Sequence, residues 1–163
     1  MRMYKLLANY RPARPSDLDG INKLIEMSVM NWPMPVRLKR RAVPVMQYDA
    51  VDLEHFDVFV CCRGNDILGV SAIDLQHAPG RGLLHGLYVL PIIQGHGIGQ
   101  QLMGIAFDWA ADHHLETVLI RAESVSAPYF RRLGLEPLEG LERDDYPHQF
   151  EVMLTQHLVA QAS

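Results

Sequence analysis

The stretch Gln94-Gly95-His96-Gly97-Ile98-Gly99-Gln100 sets three glycines at alternate positions just before a run with helical spacing. Upstream, Leu83 to Leu90 reads as a strand; downstream, Ile98, Leu102, Ile105, Ala106 and Trp109 recur as one helix face. A helix start carries unpaired N–H groups and about half a positive charge, so it attracts a phosphate without any basic side chain. Glycines at Gly95, Gly97 and Gly99 let the backbone come close to such an anion. Strand, glycine loop and helix together have the layout of a phosphate site, though glycine also serves flexible turns.

Other phosphate loops fit less well. The run lacks the Lys-Ser/Thr ending of a nucleotide-hydrolysing loop, and it follows a hairpin in mid-chain, which does not suit the first βα turn of a dinucleotide fold. The formal net charge of −4 gives no field for gripping a polyanion, so nucleic acid is not expected as a partner. The one dense basic cluster, Arg37, Lys39, Arg40 and Arg41, reads first as a solvated helix face, though it could also meet an anionic group.

The chain of 163 residues, 48% apolar and 21% charged, suits a single domain over residues 1–163 with a proper core. Cys61 and Cys62 are adjacent in a predicted strand and point to opposite faces, so no disulfide is expected and a cytoplasmic location is. Met1 to Tyr10 has no signal-peptide pattern, Leu83 to Ile93 is too broken to cross a bilayer, and no membrane association is expected. The eight histidines and two cysteines show no ligand spacing, so no metal is expected.

Around the central motif, the pattern predicts a strand over Tyr4 to Tyr10 and a helix capped by Ser16. A proline-rich loop from Asn31 to Pro35 comes next, then a second helix from Val36. A hairpin turns at Gly64-Asn65-Asp66 between Phe56 and Leu75. Thr117 to Ala122 is a short strand, Ala127 to Leu133 a short helix stopped by Gly134, and Gln149 to Leu154 a last strand.

Leu87-Tyr88-Val89-x-Pro91-x-x-Gln94-Gly95-His96-Gly97-Ile98-Gly99 resembles the acyl-CoA motif of the GNAT superfamily, Gln/Arg-x-x-Gly-x-Gly/Ala. Arg11-Pro12-Ala13-x-Pro15-x-Asp17, the Asn65-Asp66 hairpin and Tyr129-Phe130-Arg131-Arg132-Leu133-Gly134-Leu135 agree with that family in order. The resemblance implies a mixed α/β fold: a mostly antiparallel sheet of six to seven strands, splayed at a cofactor cleft, with about four helices. It implies acetyl-CoA as co-substrate, with main-chain groups of Leu87, Tyr88 and Val89 along the pantetheine arm. Gln94, Gly95, His96, Gly97, Ile98, Gly99 and Gln100 would surround the pyrophosphate, and Ser124 and Phe130 would lie at the cofactor. Homodimerisation follows from the family analogy alone.

Acetyl transfer to an amine requires the neutral amine, which for a lysine-like group costs roughly 4 to 5 kcal/mol at pH 7. His85, predicted to share a strand face with Leu83 and Leu87, is the candidate base; a packed, hydrogen-bonded histidine is the alternative. Acidic candidates are Asp74, Glu123, Glu142, Asp144 and Asp145, the last two beside Tyr146 and His148. The family's usual acid is a tyrosine four residues before the late glycine, where this chain has Phe130. Tyr129, about 100° around a helix, is the candidate in its place. Two functions follow: an N-acetyltransferase acting on a primary amine, small molecule or peptide, by direct attack in a ternary complex, or a non-catalytic acyl-CoA-binding sensor. The segments Asn31 to Tyr48 and Glu139 to His148, which would choose the acceptor, carry no specific motif.

Overall fold

In the computed structural model, which describes residues 8–138 and 148–155, six strands form one sheet in sequence order. They are β1 (Asn9–Pro12), β2 (Asp57–Arg63), β3 (Asp66–Ala78), β4 (Arg81–Val89), β5 (Thr117–Ala122) and β6 (His148–Met153). Gly64-Asn65 joins β2 to β3 and Pro79-Gly80 joins β3 to β4, two-residue connections that only antiparallel neighbours can use. β1 on β2 and β5 on β6 are also antiparallel. β4 and β5 run parallel, and their register covers only Arg81↔Thr117 to Leu84↔Ile120. β4 continues to Val89 beyond that register.

Five α-helices accompany the sheet among the described residues: α1 (Leu18–Met30), α2 (Val36–Met46), α3 (Ala50–His55), α4 (Ile98–Asp112) and α5 (Ala127–Arg132). α3 exceeds the expected four. Its start is fixed by reciprocal bonds between Asp49 and Asp52, a capping box written with two aspartates.

By its contacts the chain divides into two units, residues up to Ala72 with Gly86–Ala106, and Ile73–His85 with Phe107 onward. In the first, Ile21, Leu24, Ile25 and Val29 of α1 form one buried cluster with Tyr48, Val58, Val60, Val70 and Ala72. Burying each such aliphatic side chain contributes about 1.5–3 kcal/mol. In the second, Val118, Leu119, Ile120, Phe150 and Leu154 are buried, and the rings of Phe130 and Phe150 lie 5.6 Å apart. Arg81 pairs with Glu151 at 2.6 Å.

The start of the chain departs from the sequence pattern. β1 begins at Asn9, and Tyr4 to Leu7 lie outside the described residues. Ser16 does not cap α1; it sits inside a 3-10 turn, Pro15–Asp17, and Asp17 is the residue before the helix. The Asp17 carboxylate accepts the Arg14 backbone N–H at 2.7 Å and two Arg11 N–H groups at 2.7 and 2.9 Å. That bidentate pair joins the end of β1 to the start of α1. The helix after the glycine loop is also rotated from its expected face: Ile98, Leu102, Met103, Ala106, Phe107 and Ala110 are buried, whereas Trp109 is exposed, against His113. Cys61 and Cys62 are both buried thiols.

The hydrogen bond from Arg11, and with it the guanidinium charge, holds the Asp17 carboxyl below its usual pKa. A lowered folded-state value stabilises the fold at every pH above the unfolded value of about 3.9, and the gain drains away as pH falls through the folded value. Asp17→Asn should therefore cost about 1–2 kcal/mol in urea unfolding at pH 7, with the gap from wild type narrowing below about pH 4. A gap that stays constant on acidification would mean that the charge pair contributes nothing.

Candidate functional site

The end of β4, the glycine loop and the first turn of α4 all belong to the first unit. Leu90 closes the strand with a bond from its N–H to the Leu68 carbonyl at 2.9 Å, and Pro91–Ile93 forms a 3-10 turn over the buried Ile93. The loop then needs two residues in the left-handed region, Gly95 at φ 84° and Gly97 at φ 85°. An L side chain there costs roughly 1–2 kcal/mol per residue. A Cβ built on either glycine meets nothing within 4 Å, so open space lies over this backbone. Gly99 lies inside α4.

The helical ladder starts with the bond from Gln101 N–H to the Gly97 carbonyl at 3.0 Å. The N–H groups of Ile98, Gly99 and Gln100 precede it and are the donors every helix start leaves unmatched. Ile98 is buried, Gln94, Gly95, Gly97 and Gln100 are exposed, and His96 is partly exposed. The Ser71 hydroxyl donates to the Leu102 carbonyl at 3.1 Å, which fixes α4 on β3. Donors, dipole and open backbone fit a diphosphate.

Leu87, Tyr88 and Val89 are half-buried on β4. The Val89 carbonyl accepts from the Ser28 hydroxyl and from Gln94 Nε2, both at 3.3 Å. Both its lone pairs are thus engaged. Gln94, the first residue of the motif, ties the loop back to the strand it leaves.

Sequence reasoning missed the support behind β4. Tyr48 is buried, and its hydroxyl occupies the space a side chain on Gly86 would need. Asn22 holds the segment after α2 in place, accepting from the Tyr48 N–H at 2.9 Å and donating to the Tyr48 carbonyl at 2.8 Å. Gln47 Nε2 adds a bond to the Asn22 carbonyl at 3.1 Å. A glycine inside a strand is the signal that pointed to this close approach.

The other candidates lie in the second unit. His85 is exposed on β4 although Leu83 is buried, so the face expected to unite them is not uniform. Glu123 follows β5; its carbonyl accepts from Ser126 and Ala127 N–H groups, and burial pushes its carboxyl pKa up. Ser124 is exposed in that turn. On α5 the side chain of Phe130 is buried against Phe150, while the Tyr129 hydroxyl is buried with no hydrogen-bond partner in the described structure. Burial raises the Tyr129 pKa, which the Arg132 charge partly opposes. His148, on β6, lies 3.4 Å from Arg131, whereas Glu142, Asp144, Asp145 and Tyr146 fall outside the described residues. No cluster of three metal-binding side chains occurs among the described residues, and no helix there is long and apolar enough to cross a membrane.

Three solved structures share this fold at low sequence identity. The PaiA N-acetyltransferase from Thermoplasma acidophilum, solved in complex with coenzyme A, is 12% identical with a TM-score of 0.75, over 90% of this chain and 98% of that one. A GCN5-related N-acetyltransferase from Rhodopseudomonas palustris is 15% identical with a TM-score of 0.72, over 89% and 94%. A GNAT family acetyltransferase from Brucella melitensis, in complex with acetyl-CoA, is 17% identical with a TM-score of 0.64, over 90% and 87%. No curated protein matches the sequence significantly. The acetyltransferase (GNAT) family profile matches residues 22–135, most of the chain, and the protein belongs to that family.

Proposed function

We propose that this protein transfers the acetyl group of acetyl-CoA to a primary amine, by direct attack while both substrates are bound. The observation that carries this reading is the pair of left-handed glycines, Gly95 and Gly97, opening a side-chain-free backbone before the first turn of α4. Backbone N–H groups from Gly95 through Gln100 hold the two phosphates, and the β4 main chain at Leu87 and Val89 aligns the pantetheine arm as an added strand would. Acetyl-CoA, when bound, supplies an activated thioester carbonyl and a thiol leaving group.

The protein's own contribution is position and proton traffic. Holding amine and carbonyl in register supplies the larger share of the rate, with a strand N–H polarising the carbonyl oxygen. His85, exposed on β4, takes the proton from the incoming ammonium. Tyr129 returns a proton to the departing sulfur: its buried hydroxyl has no partner to satisfy, and its raised pKa keeps the proton on oxygen at neutral pH. Phe130 fills the core with its side chain, so the acid function shifts one residue earlier without leaving α5.

Replacing Gly97 with Trp fills the open space and strains a left-handed residue. Calorimetric titration should show CoA binding lost while the far-UV circular dichroism is kept; unchanged affinity would remove the cradle from the account. Tyr129→Phe should lower kcat for thiol release in the presence of an amine by about 10- to 100-fold, with KM for acetyl-CoA little changed. Phe130→Tyr in that background should not restore it. Equal kcat in wild type and Tyr129→Phe would exclude the tyrosine as acid, and tight CoA binding with no turnover on a broad amine panel would make the protein an acyl-CoA sensor.

A further inference from the structure

Helix α2, Val36-Arg37-Leu38-Lys39-Arg40-Arg41-Ala42-Val43-Pro44-Val45-Met46, holds four cations and no acid in a chain of net charge −4. Nothing in the acetyl-transfer chemistry uses them. At 100° per residue the helix splits into two sides. Ala42, Val43 and Met46 pack on the core of α1, and on the same side Lys39 Nζ donates to the Met30 carbonyl at 2.7 Å, at the α1 C-terminal end. The opposite arc carries Arg37, Arg40 and Arg41 together with Val36, Leu38 and Val45, all exposed, Val45 by 78%.

No acidic side chain among the described residues pairs with these three arginines. Like charges at spacings of three and four repel within a helix, and solvated faces ordinarily intersperse the two signs. Arginine is enriched at protein interfaces, and here three unpaired arginines stand beside exposed apolar side chains that a partner would cover. The helix that carries the face is tied to α1 from its other side: Lys39 holds the Met30 carbonyl at the end of α1, and Ser28, two residues before Met30, bonds the Val89 carbonyl of β4.

We propose that this face docks an acidic polypeptide segment that carries the acceptor amine. The docking stands by itself; the acceptor role rests on the acetyl-transfer reading. From Val36 to Val45 the face runs about 14 Å, the length of roughly four extended residues and too long for one small anion. A polyphosphate chain gains nothing from Leu38 and Val45, whereas a polypeptide with apolar side chains between its acids does. A membrane surface is a poorer fit because the apolar residues are interleaved with the arginines, not set on an opposite face.

The test measures fluorescence anisotropy of labelled peptides of about ten residues, each with a free N-terminal amine, on the full chain. One peptide bears glutamates and leucines, and its partner bears glutamines in place of the glutamates. The glutamate peptide should bind about tenfold more tightly at about 50 mM salt, with the gap closing toward about 500 mM. Arg37→Gln, Arg40→Gln and Arg41→Gln together should abolish the gap with thermal unfolding unchanged, whereas lysine at all three positions should keep most of it. Equal binding of the two peptides, a gap that survives the glutamine triple variant, or tighter binding of single-stranded RNA or phosphatidylserine vesicles through these arginines would overturn the proposal. Acetylation of the glutamate peptide at lower KM, with kcat equal to that for its glutamine partner, supports the acceptor role. Selective binding without acetylation of either peptide retains the docking and rejects the acceptor role, while the broad amine panel decides the acetyl-transfer reading separately.

Discussion

The backbone conformation at Gly95 and Gly97 is the constraint on which the donor end of this protein depends. Two residues at φ near +85° turn the chain from the 3-10 step after β4 into α4, within a loop too short to do so otherwise. Because neither residue carries a Cβ, the turn exposes main chain, and the first N–H groups of the helix have no partner among the described residues. In the proposed reading this local steric permission makes room for an anion without spending a charged side chain. That economy suits a chain whose net charge opposes phosphates.

A second set of contacts keeps the strand leading into that loop in place. The hydroxyls of Ser28 and Tyr48 both reach β4, one to the Val89 carbonyl and one into the space beside Gly86. Asn22 and Gln47 hold the Tyr48 segment by three bonds to or from backbone groups. Gln94 returns to Val89 from the loop side. Helix α1 and the segment after α2 therefore support β4, and α2 carries the basic face that would meet an acceptor.

The strands and the glycine loop were legible because their signals are local. Alternation over Phe56–Val60, the Gly64-Asn65 turn and the β-branched run Thr117–Ala122 each fix an element within a few residues. Ser16 misled because a serine before a helical run is the usual cap, whereas the ion pair Arg11–Asp17, which spans six residues, decided where α1 begins. The face of α4 was displaced because Trp109 counts as apolar in a pattern, yet it packs on His113 at the surface. Tyr48 against Gly86, and the burial that sets Tyr129 apart from Phe130, are products of tertiary packing. No spacing in the chain records them beyond a glycine in a strand and a tyrosine one position from its usual place.

The most direct test is where acetyl-CoA lies on the backbone. Amide resonances of the nitrogen-15-labelled full chain, followed during titration with acetyl-CoA, read that position residue by residue. The largest shifts should fall on Gly95 through Gln100 and on Leu87 to Val89, with α5 affected at Tyr129. Saturable binding that leaves the Gly95–Gln100 amides unmoved, or no binding at millimolar ligand, would contradict the proposed donor site.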